Sequence, residues 1–358
     1  MENQIIIEAE DINAALMQAV AETPHDRLFL LADDNVERDV FPLIAPFLEE
    51  KEPVRIIIPS GEEHKNISTL SIVWEALAAE GASRNSLLIN LGGGVITDLG
   101  GFAAACFKRG IRFINLPTTL LAAVDAAVGG KTGVDFNGLK NEIGAFAPAD
   151  RVILSTAPFA TLPDFQMASG FAEIVKMTMI RSEKEYTRIL LESEKNGLDL
   201  RSPDFPLASL LSFSVAEKAQ IVEQDPKEAG LRKILNFGHT CGHAFETLLL
   251  RRGTPIPHGD AVAHGILVAL ILSNIRLRTD SLLIHQYKNR ILTPLFKRLP
   301  IKCDDSDALI ELMSHDKKNA SGRITFILLN AIGRPVIVPN TPVTDIQAAL
   351  DIYIDIMG

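Results

Sequence analysis

A chain of 358 residues, 47% of them hydrophobic, is long enough for two domains that each bury a core. The formal charge of −10 at pH 7 excludes nucleic acid and an anionic membrane as expected partners, because both demand a basic face, and leaves a small molecule. The three cysteines, Cys106, Cys241 and Cys303, are too widely spaced for a disulfide framework or a CxxC metal site, which suits a reducing compartment. Met1-Glu2-Asn3-Gln4 offers no basic n-region of an export signal, so a cytoplasmic location is expected.

Along the first 160 residues short β-rich runs alternate with helical stretches. The runs are Leu28 to Leu31, Val54 to Ile58, Leu87 to Leu91, Phe113 to Leu116 and Val152 to Leu154. Alternation of this kind predicts a mostly parallel, helix-covered sheet, an α/β nucleotide-binding domain over residues 1–160. After Leu91 come Gly92-Gly93-Gly94, Asp98 and then Gly100-Gly101, read as opening a helical run. Backbone without Cβ atoms can approach a pyrophosphate, and a helix start offers free N–H groups. Thr97 stands where a GxGxxG fingerprint needs its third glycine, so a plain strand-to-helix turn explains the stretch equally well. Asp33 and Asn35 follow one strand, Gly61, Glu62 and Lys65 the next, and Thr118-Thr119 another, which places ribose-binding groups at a sheet's carboxyl edge. A P-loop at Gly130-Lys131-Thr132 fails, because Asp125 occupies the first glycine position.

From about residue 161 to 358 the pattern is mainly α-helical, interrupted late by Ile324 to Leu329 and Val336 to Val338, which read as a hairpin. The apolar helix Ala261 to Leu272 is too short to span about 30 Å of hydrocarbon and reads as core. A cleft between two such domains is the default ligand site. Four of the eight histidines fall between His239 and His264. On one helix Asn236, His239 and His243 would share a stripe. Such a pair is more often structural than ligating, but Glu173 lies in an apolar run where a lone buried carboxylate is costly unless paired or ligating. Glutamate plus two histidines leaves an open position on zinc, a catalytic arrangement. Basic residues recur nearby: Arg109, Lys131, Lys140, Lys176, Lys218, Arg232 and Lys317-Lys318. Lys131 stands apart by its apolar context after Gly129-Gly130. As a group these cations suit a substrate carrying phosphate and carboxylate.

In this order the segments resemble the 3-dehydroquinate synthases over nearly the whole chain. The stretches that carry the resemblance are Gly92 to Asp98, Arg109-Gly110, Pro117 to Ala122, Gly129 to Gly133, Lys140-Asn141, Ala172-Glu173, Lys218, Gly230 to Arg232, Asn236 to Glu246, His258-Gly259 and Asp316 to Lys318. The resemblance implies Glu173, His239 and His258 as ligands of Zn²⁺ or Co²⁺, with His243 facing the substrate. It places Asp125, Lys131, Lys140, Lys176, Asn141, Lys218, Arg232, Asn236 and a lysine of the late pair, taken as Lys318, around the substrate. Asp33, Asn35, Glu62, Lys65, Gly93, Gly94, Asp98, Thr118, Thr119, Thr161 and Leu162 would contact NAD, with Asp125, Lys131 and Lys140 close to that cofactor too. A homodimer in which Arg109 reaches the neighbouring subunit is implied as well. Departures are Asp260 where the family usually has Glu, Asp125 to Val128 in place of a serine-rich stretch, and Leu139 before Lys140.

The activity so implied is conversion of 3-deoxy-D-arabino-heptulosonate 7-phosphate to 3-dehydroquinate and phosphate, a step of the shikimate pathway. It proceeds by transient oxidation with NAD, elimination, re-reduction, ring opening and aldol closure. Two other readings share the plan: a cyclase acting on sedoheptulose 7-phosphate, and an NAD- and metal-dependent polyol phosphate dehydrogenase, which would accumulate NADH. A catalytically silent nucleotide- or metal-binding protein is the third.

Overall fold

The computed structural model describes residues 4–314 and 324–358, so Asp316, Lys317 and Lys318 lie outside the described residues. Two compact units divide the chain, residues 1–163 and 164–358.

The first unit holds strands β1 (Ile5–Glu8), β2 (Leu28–Asp33), β3 (Val54–Ile58), β4 (Leu87–Gly92), β5 (Arg112–Pro117), β6 (Lys131–Phe136), β7 (Leu139–Phe146) and β8 (Arg151–Leu154). Its α-helices are α1 (Ile12–Ala21), α2 (Asp34–Asp39), α3 (Ala45–Lys51), α4 (Ile67–Ala79) and α5 (Gly94–Cys106). Six strands form one sheet in the order β1-β8-β5-β4-β2-β3, every pair parallel. The central β4 is buried along its whole length, as a strand covered on both faces must be, whereas the edge strand β3 alternates. Apart from β1, the order is that of a doubly wound sheet: β3 lies on one side of β2 and the next strand, β4, on the other. The order in which strands are added changes direction between β2 and β4, and ligands of such sheets bind outside the carboxyl ends at that point.

All five predicted strands are present. The edge strand β1 and the antiparallel β6–β7 hairpin were not predicted. The helix after β4 also begins earlier than expected, at Gly94. Gly100 and Gly101 lie inside it, where a Cβ at Gly100 would collide with Asn90 Oδ1 and one at Gly101 would come within 2.5 Å of Thr132 Cγ2. Those glycines let α5 lie close on β4 and β6 and do not open a helix.

The second unit contains α6 (Asp164–Arg181), α7 (Glu183–Asn196), α8 (Leu207–Gln224), α9 (His239–Arg251), α10 (His258–Leu277), α11 (Leu282–Tyr287), α12 (Thr293–Leu295), α13 (Ser306–Ser314) and α14 (Val343–Met357). The expected late hairpin is β9 (Phe326–Ala331) with β10 (Arg334–Val338), antiparallel. Helix α10 is longer than the sequence reading allowed. Its 20 residues match a bilayer's thickness, but 72% of its most apolar window is buried among protein, and α6, α9, α14 and β9 pack on it. It is the core helix of this unit, apolar all round because it is covered all round.

Candidate active site

In the first unit, Asp33 ends β2 and Gly92 ends β4, neighbouring strands at the reversal point. The Asp33 carboxylate caps α2 by accepting from the Val36 N–H at 2.9 Å, and burial pushes its pKa up. Gly93 precedes α5, and a Cβ there would sit 3.1 Å from Thr119 Cγ2, while Thr118 N–H donates to the Gly92 carbonyl at 2.9 Å. The glycine turn and the threonine pair are therefore one construction. A second cluster lies around Lys65, which is 4% exposed. Its Nζ contacts Asp98 Oδ2 at 2.5 Å and Asn141 Oδ1 at 2.6 Å. Burial raises the Asp98 carboxyl to about 6 even though Lys65 pulls it down, and Asp125 and Glu62 add to the rise. The β6–β7 hairpin reaches this cluster through Asp135, whose N–H donates to the Lys65 carbonyl at 2.8 Å and whose Oδ1 accepts from Asn141 N–H at 2.7 Å.

Other predicted positions of this unit are less enclosed. Asn35, Glu62, Arg109, Lys131 and Lys140 are exposed. For Lys131 this corrects the reading of an apolar setting, because it is the outer end of an unpredicted strand. Thr161 closes its own turn by donating to the Pro158 carbonyl at 2.9 Å, with Leu162 following.

In the second unit α6 is buried without interruption from Met167 to Ile180, and Glu173 and Lys176 are the only charges in that run. They pair with each other through Glu173 Oε2. The other oxygen, Oε1, stands 3.5 Å from His239 Nε2 and 3.6 Å from His258 Nε2. All three ligand atoms lie within 4.8 Å of one another. Two atoms each about 2.0–2.1 Å from a tetrahedral zinc would be about 3.3–3.4 Å apart. The Glu173 distances are slightly wider, so the residues fit a divalent cation at their centre after a small contraction. The His239 ring is fixed by its other nitrogen, Nδ1, 3.2 Å from the Phe237 carbonyl. Burial opposes charge on His258, but Glu173 and Glu246 together outweigh it and push its pKa up to about 10. The two carboxylates thus make the surroundings of His258 favour positive charge.

Glycines bring these side chains together. A Cβ on Gly265 of α10 would overlap the Gly238 carbonyl oxygen, and one on Gly242 of α9 would come 3.0 Å from the Ala261 carbonyl oxygen. Gly238 itself has φ +81°, the left-handed turn that starts α9 at His239. Gly259 is pressed against Ser169 of α6, whose hydroxyl accepts from the Gly259 N–H at 3.0 Å. So α10 is anchored at Ser169, one turn of α6 before Glu173, which brings His258 to that carboxylate. The ring centroids of His239, His243 and His258 lie 5.4–6.1 Å apart.

The expected stripe of Asn236, His239 and His243 needs correction. Asn236 ends a 3₁₀ turn, Leu231–Asn236, before α9 begins, and its amide donates to Glu228 Oε1 at 2.8 Å. Lys218 and Arg232 are both buried. Arg232 donates to the Pro226 carbonyl at 2.9 Å, and Asp225 ties its loop down by accepting from the N–H groups of Ala229, Gly230 and Arg232. Sequence reasoning missed Asp225, Glu228, Ser169 and Glu246. Glu246 was visible in principle, seven residues after His239 and hence on its helical face.

Comparison with known proteins decides what this constellation belongs to. Residues 55–169 match the 3-dehydroquinate synthase N-terminal family and residues 170–319 the C-terminal one. A 3-dehydroquinate synthase of Parabacteroides distasonis is 43% identical over the full length of both chains. The chain belongs to the 3-dehydroquinate synthase family. A second member, from Pyrococcus abyssi, is 43% identical over 78% of this chain and 79% of its own. Among solved structures, a 2-deoxy-scyllo-inosose synthase complexed with carbaglucose-6-phosphate, NAD⁺ and Co²⁺ is 26% identical, with a TM-score of 0.83 over 96% of this chain and 95% of that one. A 2-epi-5-epi-valiolone synthase from Streptomyces hygroscopicus subsp. jinggangensis shares the fold, with a TM-score of 0.86 at 24% identity over 99% of this chain and 98% of that one. A probable glycerol dehydrogenase from Sinorhizobium meliloti is more distant, with a TM-score of 0.64 at 17% identity over 99% of this chain and 97% of that one. As a member of the family the chain is a lyase-type cyclase.

Proposed function

We propose that the chain is a 3-dehydroquinate synthase that closes 3-deoxy-D-arabino-heptulosonate 7-phosphate into 3-dehydroquinate with loss of phosphate, using NAD and a divalent metal, Zn²⁺ or Co²⁺. The observation that carries the reading is the Glu173, His239 and His258 cluster in a chain 43% identical over its whole length to a family member. These three residues would hold the metal. Gly93, Gly94, Thr118, Thr119 and Asp33 would hold the nucleotide. When bound, the metal supplies Lewis acidity toward a hydroxyl or ketone oxygen, and the nicotinamide supplies a hydride acceptor that returns the hydride to the same molecule.

The chain's own groups bind and orient the substrate. Lys218 and Arg232 are two buried cations, more than a neutral hydroxymethyl end requires, and are assigned to the carboxylate. Arg232 is held in place by the Pro226 carbonyl and the Asp225-bound loop, so its guanidinium is pre-oriented. Asn236 and His243 are assigned to the phosphate end, and the family resemblance adds Lys131 and Asn141. Lys176, fixed by Glu173 Oε2, is assigned to assist proton movement at the reacting hydroxyl. A homodimer with Arg109 completing the neighbour's phosphate site, and a cytoplasmic location, are part of the proposal on the strength of the resemblance.

The test is phosphate release from 3-deoxy-D-arabino-heptulosonate 7-phosphate with a catalytic amount of NAD. Turnover without net NADH is expected. Stoichiometric NADH points to a dehydrogenase, and equal or better turnover of sedoheptulose 7-phosphate points to a different cyclase.

A further inference from the structure

We infer that Glu246 is the positioning residue of the metal centre: it receives the Nδ1 proton of His258 and so presents Nε2 of that ring to the cation. The inference rests on the ligand set proposed above. The two histidines of that set are oriented by different devices. His239 leans its Nδ1 on the Phe237 carbonyl, a backbone group that no side-chain change removes. His258 has a carboxylate at each nitrogen, Glu173 Oε1 at 3.6 Å from Nε2 and Glu246 Oε2 at 3.5 Å from Nδ1.

With a metal on the Nε2 side, only the tautomer protonated at Nδ1 can ligate, and Glu246 is the acceptor that selects it. The side chain is 12% exposed and stands on α9 between the buried Phe245 and Leu248. A carboxylate this buried among apolar neighbours is costly without a partner, and the His258 imidazole is a partner within reach. Glu246 also shares its helical face with His239 and His243, so one face of α9 carries a ligand, a substrate-side histidine and the group that aims the third ligand. His258 begins α10 and has no preceding helical turn to restrain its ring, which is why it needs a side-chain brace.

Outer-sphere partners of this kind are worth about 10–100-fold in metal affinity. The full-length protein is stripped of metal, and Co²⁺ affinity is measured by chelator competition together with the visible Co²⁺ spectrum, for wild type, Glu246→Ala, Glu246→Gln and His258→Ala. Glu246→Ala should lose about 10–100-fold in affinity and shift the Co²⁺ bands. Glu246→Gln, nearly isosteric and still an acceptor through its amide oxygen, should recover part of both, which a merely structural role would not produce. If both Glu246 variants bind Co²⁺ as wild type does while His258→Ala loses it, the positioning role is overturned and the ligand set stands. Wild-type affinity in His258→Ala overturns the ligand set and the role of Glu246 with it.

Discussion

The two units build their proposed sites in opposite ways. In the sheet unit the proposed nucleotide site is mostly backbone and topology: a switch of strand order between β2 and β4, a glycine turn, and helix N–H groups, with side chains added at strand ends. In the helical unit it is side chains on separate helices, brought within 4.8 Å because glycines let α6, α9 and α10 touch at Ser169, Gly238 and Gly242. A backbone site tolerates substitution at its rim. A site held by helix approach does not, because a single added methyl moves a ligand.

The largest effect that follows is at Glu173. Glu173→Ala should lose the metal and lower kcat/KM on the order of 10³-fold, about 4 kcal/mol, read by steady-state kinetics and metal analysis. It also leaves Lys176 buried without its carboxylate, so a fall in thermal stability should accompany it. Unaltered metal content in folded Glu173→Ala would remove the helical half of the comparison.

Next is Arg232→Ala, expected to weaken transition-state binding of the carboxylated substrate by about 2–5 kcal/mol. The same change should cost little with sedoheptulose 7-phosphate, so the ratio of the two kcat/KM values measures the carboxylate contact.

A pair of methyl additions tests the comparison itself. Gly265→Ala forces a Cβ into the Gly238 carbonyl and should cost about 1–3 kcal/mol in urea unfolding, with weaker metal binding. Gly94→Ala places a Cβ 3.7 Å from that of Ala126, an ordinary contact, and should change stability by no more than about 0.5 kcal/mol. Equal costs would break the comparison.

The sheet unit also has a buried ion pair, Lys65 with Asp98. Asp98 ionises near 4 when unfolded and at about 6 when folded, so its neutral form favours the fold. That contribution is present at low pH and is lost as the pH rises through about 6. Asp98→Asn should flatten this part of the stability profile, and Lys65→Met should deepen the loss and carry it to higher pH. Urea midpoints across pH 4–8 (an approximate working range) for the three proteins check the sign.

The smallest signal expected is from mixed subunits. If Arg109 completes a neighbouring subunit's site, mixing inactive Arg109→Ala and Lys131→Ala proteins should restore roughly a quarter of wild-type activity, since half the dimers would be hybrids with one intact site. Confirmed exchange without recovery removes the shared site.

From the sequence alone came the strand pattern of the first unit, the helical second unit with its late hairpin, and the acid in an apolar run. These follow from local periodicity and from the cost of burying charge, which any reader of residues 28–154 or 170–176 can apply. The family resemblance named the ligand set before any geometry did. Local pattern could not place the exposed β6–β7 hairpin, whose residues are not alternately apolar, nor see that Gly100 and Gly101 lie within a helix and not at its start. Nor could it separate Asn236 from the α9 stripe, because spacing assumes a helix that in fact begins three residues later, at His239, just after the left-handed Gly238. That His239 and His258, nineteen positions apart, meet one oxygen of Glu173 was decided by tertiary structure alone. It depends on how closely three helix backbones approach, and that is a property of glycines facing one another across interfaces, which no single segment contains.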